Sequence, residues 1–148
     1  MKKQIRQGVF ETNSSSTHSV TIIEGSHFVP YYEKLNIETG EYGWEIETYT
    51  NIEDKLSYAL TFALNRVDLD LFEMLHSVLE EWMPNTTINY EGLSYEEVKN
   101  DFIHEYIETG YIDHGSYDEA ASIFKSKDTL EDFIFGTDSY FETDNDNH

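Results

Sequence analysis

The stretch IEDKLSYALTFALNRVDLDLFEMLHSVLEEWM, residues 52–83, decides the fold because its apolar residues recur with helical spacing. The first series comprises Ile52, Leu56, Leu60, Ala63 and Val67, and the second comprises Leu69, Phe72, Leu75, Leu79 and Met83. Pro84 then cannot continue a helix, because it lacks an N–H group. The pattern therefore predicts two helices in the middle of the chain.

Turn and cap signals predict further elements after Pro84. Residues 87–90 are typical of a strand. Ser94 and Glu97 form a capping box, which predicts a helix that begins at Tyr95 and runs to Gly110. Two similar boxes predict short helices, one starting at residues 116–119 and one starting at residues 128–131 and ending at Gly136. A last strand is expected at 139–143.

The N-terminal third has strand patterns. Residues 8–10 and 17–23 predict two strands, separated by a polar loop at 13–17. A strand around Leu35 and Ile37 and another at 44–49 predict a β-hairpin. We therefore expect one α+β domain over residues 1–148, with a small, mostly antiparallel sheet and helices packed against it.

The charge restricts the partners. The 148 residues include nine basic and thirty acidic side chains, giving a net charge of −21, and the aromatic content of 15% is enough to build a core. No basic stripe is present, so we expect no direct binding of nucleic acid and none of anionic membranes. A large field of one sign favours a cationic partner instead.

The remaining composition predicts a cytoplasmic protein. The chain has no cysteine, no signal-peptide pattern after its basic start and no apolar run that approaches the ~20 residues needed to span a bilayer. The expected location is the cytoplasm. The oligomeric state stays open.

A polar segment near the N-terminus is the first candidate site. Asn13, Ser14, Ser15 and Ser16 could turn backbone N–H and hydroxyl donors toward an anion. His18, which follows them, could serve as a base, an acid or a metal ligand. The alternative is a tight polar loop between two strands, with His18 hydrogen-bonded at the edge of the core.

Two further segments could complete a metal site. Asp113 and His114 could act as a hydrolytic pair or as ligands, although residues 113–116 also suit a turn into a capped helix. Asp144 and Asp146 have a spacing found in sites with oxygen ligands, and they also suit a plain acidic tail. If these segments meet His18, they could hold one divalent metal. Whether the chain catalyses any reaction stays open.

The distribution of carboxylates gives a candidate binding surface on the acidic segments 67–98 and 94–109. No Lys or Arg lies between Arg66 and Lys99. The candidate contact residues are Asp68, Asp70, Glu73, Glu80, Glu81, Glu96, Glu97, Asp101 and Glu105. A solvated acidic face is the ordinary reason for such a run. The more specific hypothesis is a binding face whose carboxylates imitate the phosphates of nucleic acid.

Residues 9–19, VFETNSSSTHS, resemble the N-terminal signature of a group of phage and bacterial proteins. Relatives also carry an Asp-His-x-Ser element, matched at 113–116, and a C-terminal Asp-Asn element, matched near Asp144. The resemblance covers both ends and one internal point, and Gly115 departs from the residue usual at its position. It implies a phage or prophage origin and supplies no activity.

Origin and charge together predict a phage-encoded accessory protein that binds and inhibits a basic host protein. The expected target is a defence factor that acts on nucleic acid, so the chain would be an anti-CRISPR or another anti-defence protein, and it could be a DNA mimic. The alternative is a metal-dependent hydrolase or nucleotide-processing enzyme that uses His18, Asp113, His114 and Asp144. A virion component, with a large apolar surface for self-association, is a third possibility.

Overall fold

The computed structural model describes residues 4–9, 16–23, 26–42, 47–104, 111–112, 124 and 126–145. The strands are β1 (Gln4–Val9), β2 (Ser16–Ile23), β3 (Lys34–Ile37), β4 (Glu41–Tyr42), β5 (Glu47–Tyr49), β6 (Thr87–Tyr90), β7 (Tyr111–Ile112) and β8 (Tyr140–Asn145). The helices are α1 (Ile52–Asn65), α2 (Leu69–Trp82), α3 (Tyr95–Ile103) and α4 (Lys127–Phe135). The α+β class expected from the sequence is confirmed.

The main sheet has four antiparallel strands in the order β1-β2-β8-β5. The strand nearest the C-terminus therefore lies between β2 and β5. Two smaller sheets are parallel pairs, β3 with β6 and β4 with β7. Parallel strands need a long crossover, and α1 and α2 supply it between β3 and β6.

The predicted β-hairpin is wrong. β3 pairs with β6, and β5 pairs with β8, so the two predicted arms lie in different sheets. Both arms pair with strands far away in the sequence, which a local turn signal does not indicate. Residues 43–46, which belong to the second arm, lie outside the described residues.

The helices in the middle of the chain agree with the periodicity. α1 begins after Asn51, whose side-chain oxygen accepts a hydrogen bond from the Asp54 N–H at 2.8 Å. α2 ends just before Pro84. Each described helix has at most 14 residues, and none is long and apolar enough to cross a bilayer.

α3 begins as predicted and ends early. The Ser94–Glu97 capping box is present, with both of its hydrogen bonds. The helix ends at Ile103, with His104 as its C-cap, whose N–H bonds the Asn100 carbonyl at 3.1 Å. The predicted extension to Gly110 is therefore wrong at His104, which is no longer helical. Residues 105–110 lie outside the described residues.

α4 begins two residues earlier than predicted. Its cap is Ser126, whose hydroxyl accepts from the Thr129 N–H at 3.4 Å, and not Asp128. It ends at Gly136, as expected, where a Cβ atom would clash with the carbonyl oxygen of Asp132. The helix predicted from Ser116 lies outside the described residues.

Aromatic side chains join the helices to the main sheet. The ring of Tyr58 in α1 lies 4.3 Å from that of Phe141 in β8 and 6.5 Å from that of Phe133 in α4. α1 is buried on almost every side, because it packs against α2, α4 and strands of more than one sheet. This packing fixes the start of α1 beside the end of α4, where a cavity forms.

Candidate functional site

The register of the main sheet brings the N-terminal polar segment to the C-terminal tail. Along the β2–β8 ladder, His18 lies opposite Thr143, Thr17 opposite Asp144 and Ser16 opposite Asn145. Ser16 is therefore part of a strand and not of the predicted anion-binding loop, because its backbone belongs to the ladder. Asn13, Ser14 and Ser15 lie outside the described residues.

The described residues hold only part of the predicted metal site. His18 and Asp144 come from adjacent strands. Asp113, His114 and Asp146 lie outside the described residues, and Ile112, just before Asp113, pairs with Tyr42 in a separate two-stranded sheet. Within the described ranges, no group of three or more His, Asp or Glu residues could hold a metal ion.

The carboxylates of α2 lie on its outer side. The exposed residues of this side recur with helical spacing and include the carboxylates Asp70, Glu80 and Glu81 together with Ser77. Glu73, on the same side, is half-buried. The opposite side of the helix is buried, through Leu71, Phe72, Leu75, Val78 and Leu79. On α3, Glu96 and Glu97 are exposed and Asp101 is half-buried. The core therefore leaves the acidic side of both helices in contact with water.

Ring stacking fixes α2 against α3. The His76 ring stacks on Tyr95, with centroids 3.9 Å apart and planes at 6°, and Phe72 stacks on the same tyrosine at 5.4 Å. The buried Tyr90 hydroxyl is hydrogen-bonded to Nδ1 of His76 at 2.7 Å, and the Glu80 carboxylate accepts from Nε2 of His76 at 2.8 Å. We call α2 and α3 together the acidic helix pair.

The predicted contact residues fall into two sets. Four have structural roles: Asp68 caps α2, Glu97 belongs to the capping box of α3, Glu80 accepts from His76 and Glu81 pairs with Lys127. Another four, the unpaired carboxylates, form no ion pair or side-chain hydrogen bond with any residue that the structure describes: Asp70, Glu73, Glu96 and Asp101. Glu105 lies outside the described residues.

A cavity of about 410 Å³ is the feature that sequence reasoning missed. It lies between residues 28–32, the start of α1 and the end of α4. It is lined by Phe28, Pro30, Tyr32, Thr50, Asn51, Ile52, Glu53, Lys55, Ile134, Phe135, Gly136 and Thr137. The size is within the range of small-molecule sites.

Lys55 is the unusual residue of this cavity. It is only 2% exposed, and its Nζ donates to the carbonyl oxygens of Gly136 at 3.1 Å and Ser139 at 3.0 Å. Burial lowers the pKa of Lys55 to about 8. A sequence signal existed: Lys55 lies three residues after Ile52 and four before Ala59, within the apolar stripe of α1.

Tyr32 and Glu53 supply polar groups to the same cavity. The Tyr32 hydroxyl donates to the Glu53 carboxylate. Burial and this neighbouring carboxylate raise the pKa of Tyr32 to about 12. Phe28 lines the cavity although it is 64% exposed. The cavity therefore offers an amine, a carboxylate, a hydroxyl group and aromatic walls.

Comparison with protein-family models, with curated proteins and with solved structures finds no match to this chain. The resemblance to a phage group stays a prediction.

Proposed function

We propose that the chain is a phage-encoded inhibitor that binds a basic host protein through the acidic helix pair. The observation that supports this is the set of unpaired carboxylates. Residues 67–104 contain nine Asp and Glu residues and one Lys or Arg, Lys99, which lies over the Tyr95 ring at 5.6 Å. The four carboxylates that serve caps and ion pairs, and Glu91, which accepts from the Thr39 N–H at 2.6 Å, have local reasons to be there. Of the other four, Asp70 and Glu96 lie in the first turns of α2 and α3, where the helix dipole favours a carboxylate, whereas Glu73 and Asp101 have no such role among the described residues.

The energetics allow a surface of this kind. An exposed ion pair contributes at most about 1 kcal/mol, so leaving an exposed carboxylate without a partner costs the fold little. The same charges raise the rate at which a cationic protein associates. Stacking of His76 and Phe72 on Tyr95 holds the two helices in place, so little ordering is needed when a partner binds.

The chemistry of the partner follows from the charge. Proteins that bind nucleic acid carry spaced Lys and Arg residues that neutralise phosphates. Carboxylates on two rigid helices would compete for those cations, so the partner should not hold DNA or RNA and this protein together. A host defence factor that acts on nucleic acid, in the host cytoplasm, is the proposed target.

The test compares two variants of equal net charge. One neutralises the unpaired carboxylates through Asp70→Asn, Glu73→Gln, Glu96→Gln and Asp101→Asn. The control neutralises four exposed carboxylates elsewhere through Glu33→Gln, Glu38→Gln, Glu41→Gln and Asp128→Asn. Proteins captured from host lysate by the immobilised wild type are identified, purified and titrated against all three chains.

We expect the first variant to bind at least about tenfold more weakly than the control, with wild-type affinity falling steeply from 50 to 500 mM salt. Equal losses of affinity in the two variants would mean that only the net charge of the chain matters, and this would contradict binding through the acidic helix pair. Affinity that does not change with salt would contradict the proposal.

A metal-dependent hydrolase or nucleotide-processing enzyme is the other hypothesis from the sequence, and the register of β2 with β8 does not favour it. Thr17, and not His18, lies opposite Asp144, and successive residues of a strand point to opposite faces of a sheet. This pairing by itself therefore does not bring His18 and Asp144 to one metal ion.

A further inference from the structure

The hydrogen bonds of Lys55 match the neutral form of its amine. A lysine ammonium has three N–H donors, whereas a neutral amine has two donors and a lone pair. Nζ has two acceptors among the described residues, the carbonyl oxygens of Gly136 and Ser139. Two donors and two acceptors satisfy each other, so the neutral amine keeps its lone pair.

The charge environment also favours the neutral form. None of the described ion pairs includes Lys55, so no carboxylate compensates a charge on this 2% exposed residue. Burial lowers the pKa of Lys55 to about 8. At pH 7 about a tenth of the amine would then be neutral, against roughly one part in three thousand for a lysine with an ordinary pKa.

The cavity gives such an amine a place for a ligand. Lys55 lines it, together with three aromatic side chains, those of Phe28, Tyr32 and Phe135. We propose that Lys55 is a nucleophilic amine that forms a reversible imine with small aromatic aldehydes in this cavity. None of the lining residues belongs to α2 or α3, so this proposal does not depend on the proposed function.

The reaction balances without an oxidant or reductant. The Nζ lone pair attacks the aldehyde carbon, a C–N bond forms, and the carbonyl oxygen takes up a proton. The nitrogen then loses its protons as the oxygen leaves as water, so amine and aldehyde give imine and water. Glu53 and Tyr32 line the same cavity and are the groups there that can exchange the proton.

The test measures each lysine of the wild-type chain. The folded protein is incubated with benzaldehyde and cyanoborohydride, which reduces the imine to a stable benzylamine, and the seven lysines are mapped by mass spectrometry. We expect Lys55 to react at least about tenfold faster than the exposed Lys34 at pH 7, where a larger fraction of its amine is neutral.

If Lys55 only stabilised the turn at 136–139, the two lysines would show the opposite order of reaction rates. Because it is almost completely buried, Lys55 would then react more slowly than Lys34 at every pH, and this result would overturn the proposal. The measurement uses the wild type, so it does not depend on how any variant folds.

Two variants add controls. Lys55→Arg keeps the donors and cannot form an imine, so the adduct on this peptide should vanish while Lys34 reacts as before. Thr137→Trp narrows the cavity and leaves Lys55 in place. It should slow the labelling of Lys55 about tenfold or more, since access to the amine is through the cavity. Unchanged labelling of Lys55 in a folded Thr137→Trp protein would contradict the proposed route.

Discussion

On α2 and α3, four carboxylates lie without a described ion-pair partner, whereas between α1 and α4 a lysine lies buried without a carboxylate partner. The carboxylates are exposed or half-buried, as Glu96 and Glu73 illustrate, so water solvates them. Lys55 is 2% exposed, and among the described residues the backbone carbonyls of Gly136 and Ser139 replace the water it lost.

The difference shows that an unpaired charge has different consequences in the two places. At the surface its field extends into solvent and acts on the approach of other molecules. In the interior its desolvation acts on stability and on the protonation state of the group itself. Substitutions of the four unpaired carboxylates should therefore change association and leave stability nearly constant, and substitutions at Lys55 should do the reverse.

The largest effect is expected from Lys55→Ala. It leaves the carbonyls of Gly136 and Ser139 without this donor and opens space beside α1, which should lower the free energy of unfolding by about 2–4 kcal/mol. Urea denaturation measures it. Lys34→Ala, at an exposed position of β3, should cost less than about 0.5 kcal/mol. Equal costs would mean that the interior lysine does not stabilise the turn.

The next effect is a pH dependence. Lys55 has a pKa of about 8 in the folded chain and 10.5 in the unfolded chain, so between these values only the unfolded chain holds the proton. Raising the pH through this window therefore favours folding, by at most about 1.4 kcal/mol per pH unit. We expect wild-type stability to rise relative to Lys55→Met between pH 7.5 and 10.

Tyr32 should oppose this rise in stability at alkaline pH. Its pKa is about 12 in the folded chain, above the usual 10, so above pH 10 the unfolded chain loses this proton first and stability falls. Tyr32→Phe should therefore remove part of the fall in stability above pH 10 and leave the rise below it.

The Lys55 prediction has a clear contrary outcome. If the difference in stability between wild type and Lys55→Met stays constant from pH 7.5 to 10, the pKa of Lys55 is not lowered in the folded chain.

A smaller effect should separate structural from unpaired carboxylates. Asp68 accepts from the Leu71 N–H at 3.0 Å as the cap of α2, so Asp68→Ala should lower the free energy of unfolding by about 1 kcal/mol. Asp68→Asn keeps an acceptor and should cost little. Asp70→Ala removes a charge two residues away and should stay within about 0.5 kcal/mol. If the two alanine variants were equivalent, the two sets of carboxylates would not differ.

Local signals in the sequence account for much of the helical part of the fold. The spacing of apolar residues predicts α1 and α2, and Ser94 with Glu97 predicts the start of α3, because the interactions involved join residues within one or two turns. The sheet is different. β8 lies between β2 and β5, and no local pattern indicates which strand a segment will pair with.

The sites show the same limit. A lysine in the apolar stripe of α1 is visible in the sequence, but its acceptors lie 81 and 84 residues away. The Glu81–Lys127 pair joins residues 46 apart, so the sequence could not separate structural carboxylates from unpaired ones. The predicted metal site depends on Asp113, His114 and Asp146, which lie outside the described residues, and it stays a prediction.

The smallest expected effect tests the acidic helix pair by itself. Glu73→Gln removes one unpaired charge from a chain of net charge −21, so it should raise the free energy of unfolding by a few tenths of a kcal/mol at low salt, and the gain should vanish near 1 M salt as screening increases. Glu81→Gln is the matched control on the same helix, because it loses its contact with Lys127 and should bring no gain. If Glu73→Gln lowers stability instead, Glu73 has a structural partner, and the number of carboxylates that the helix pair can offer to a basic protein falls to three.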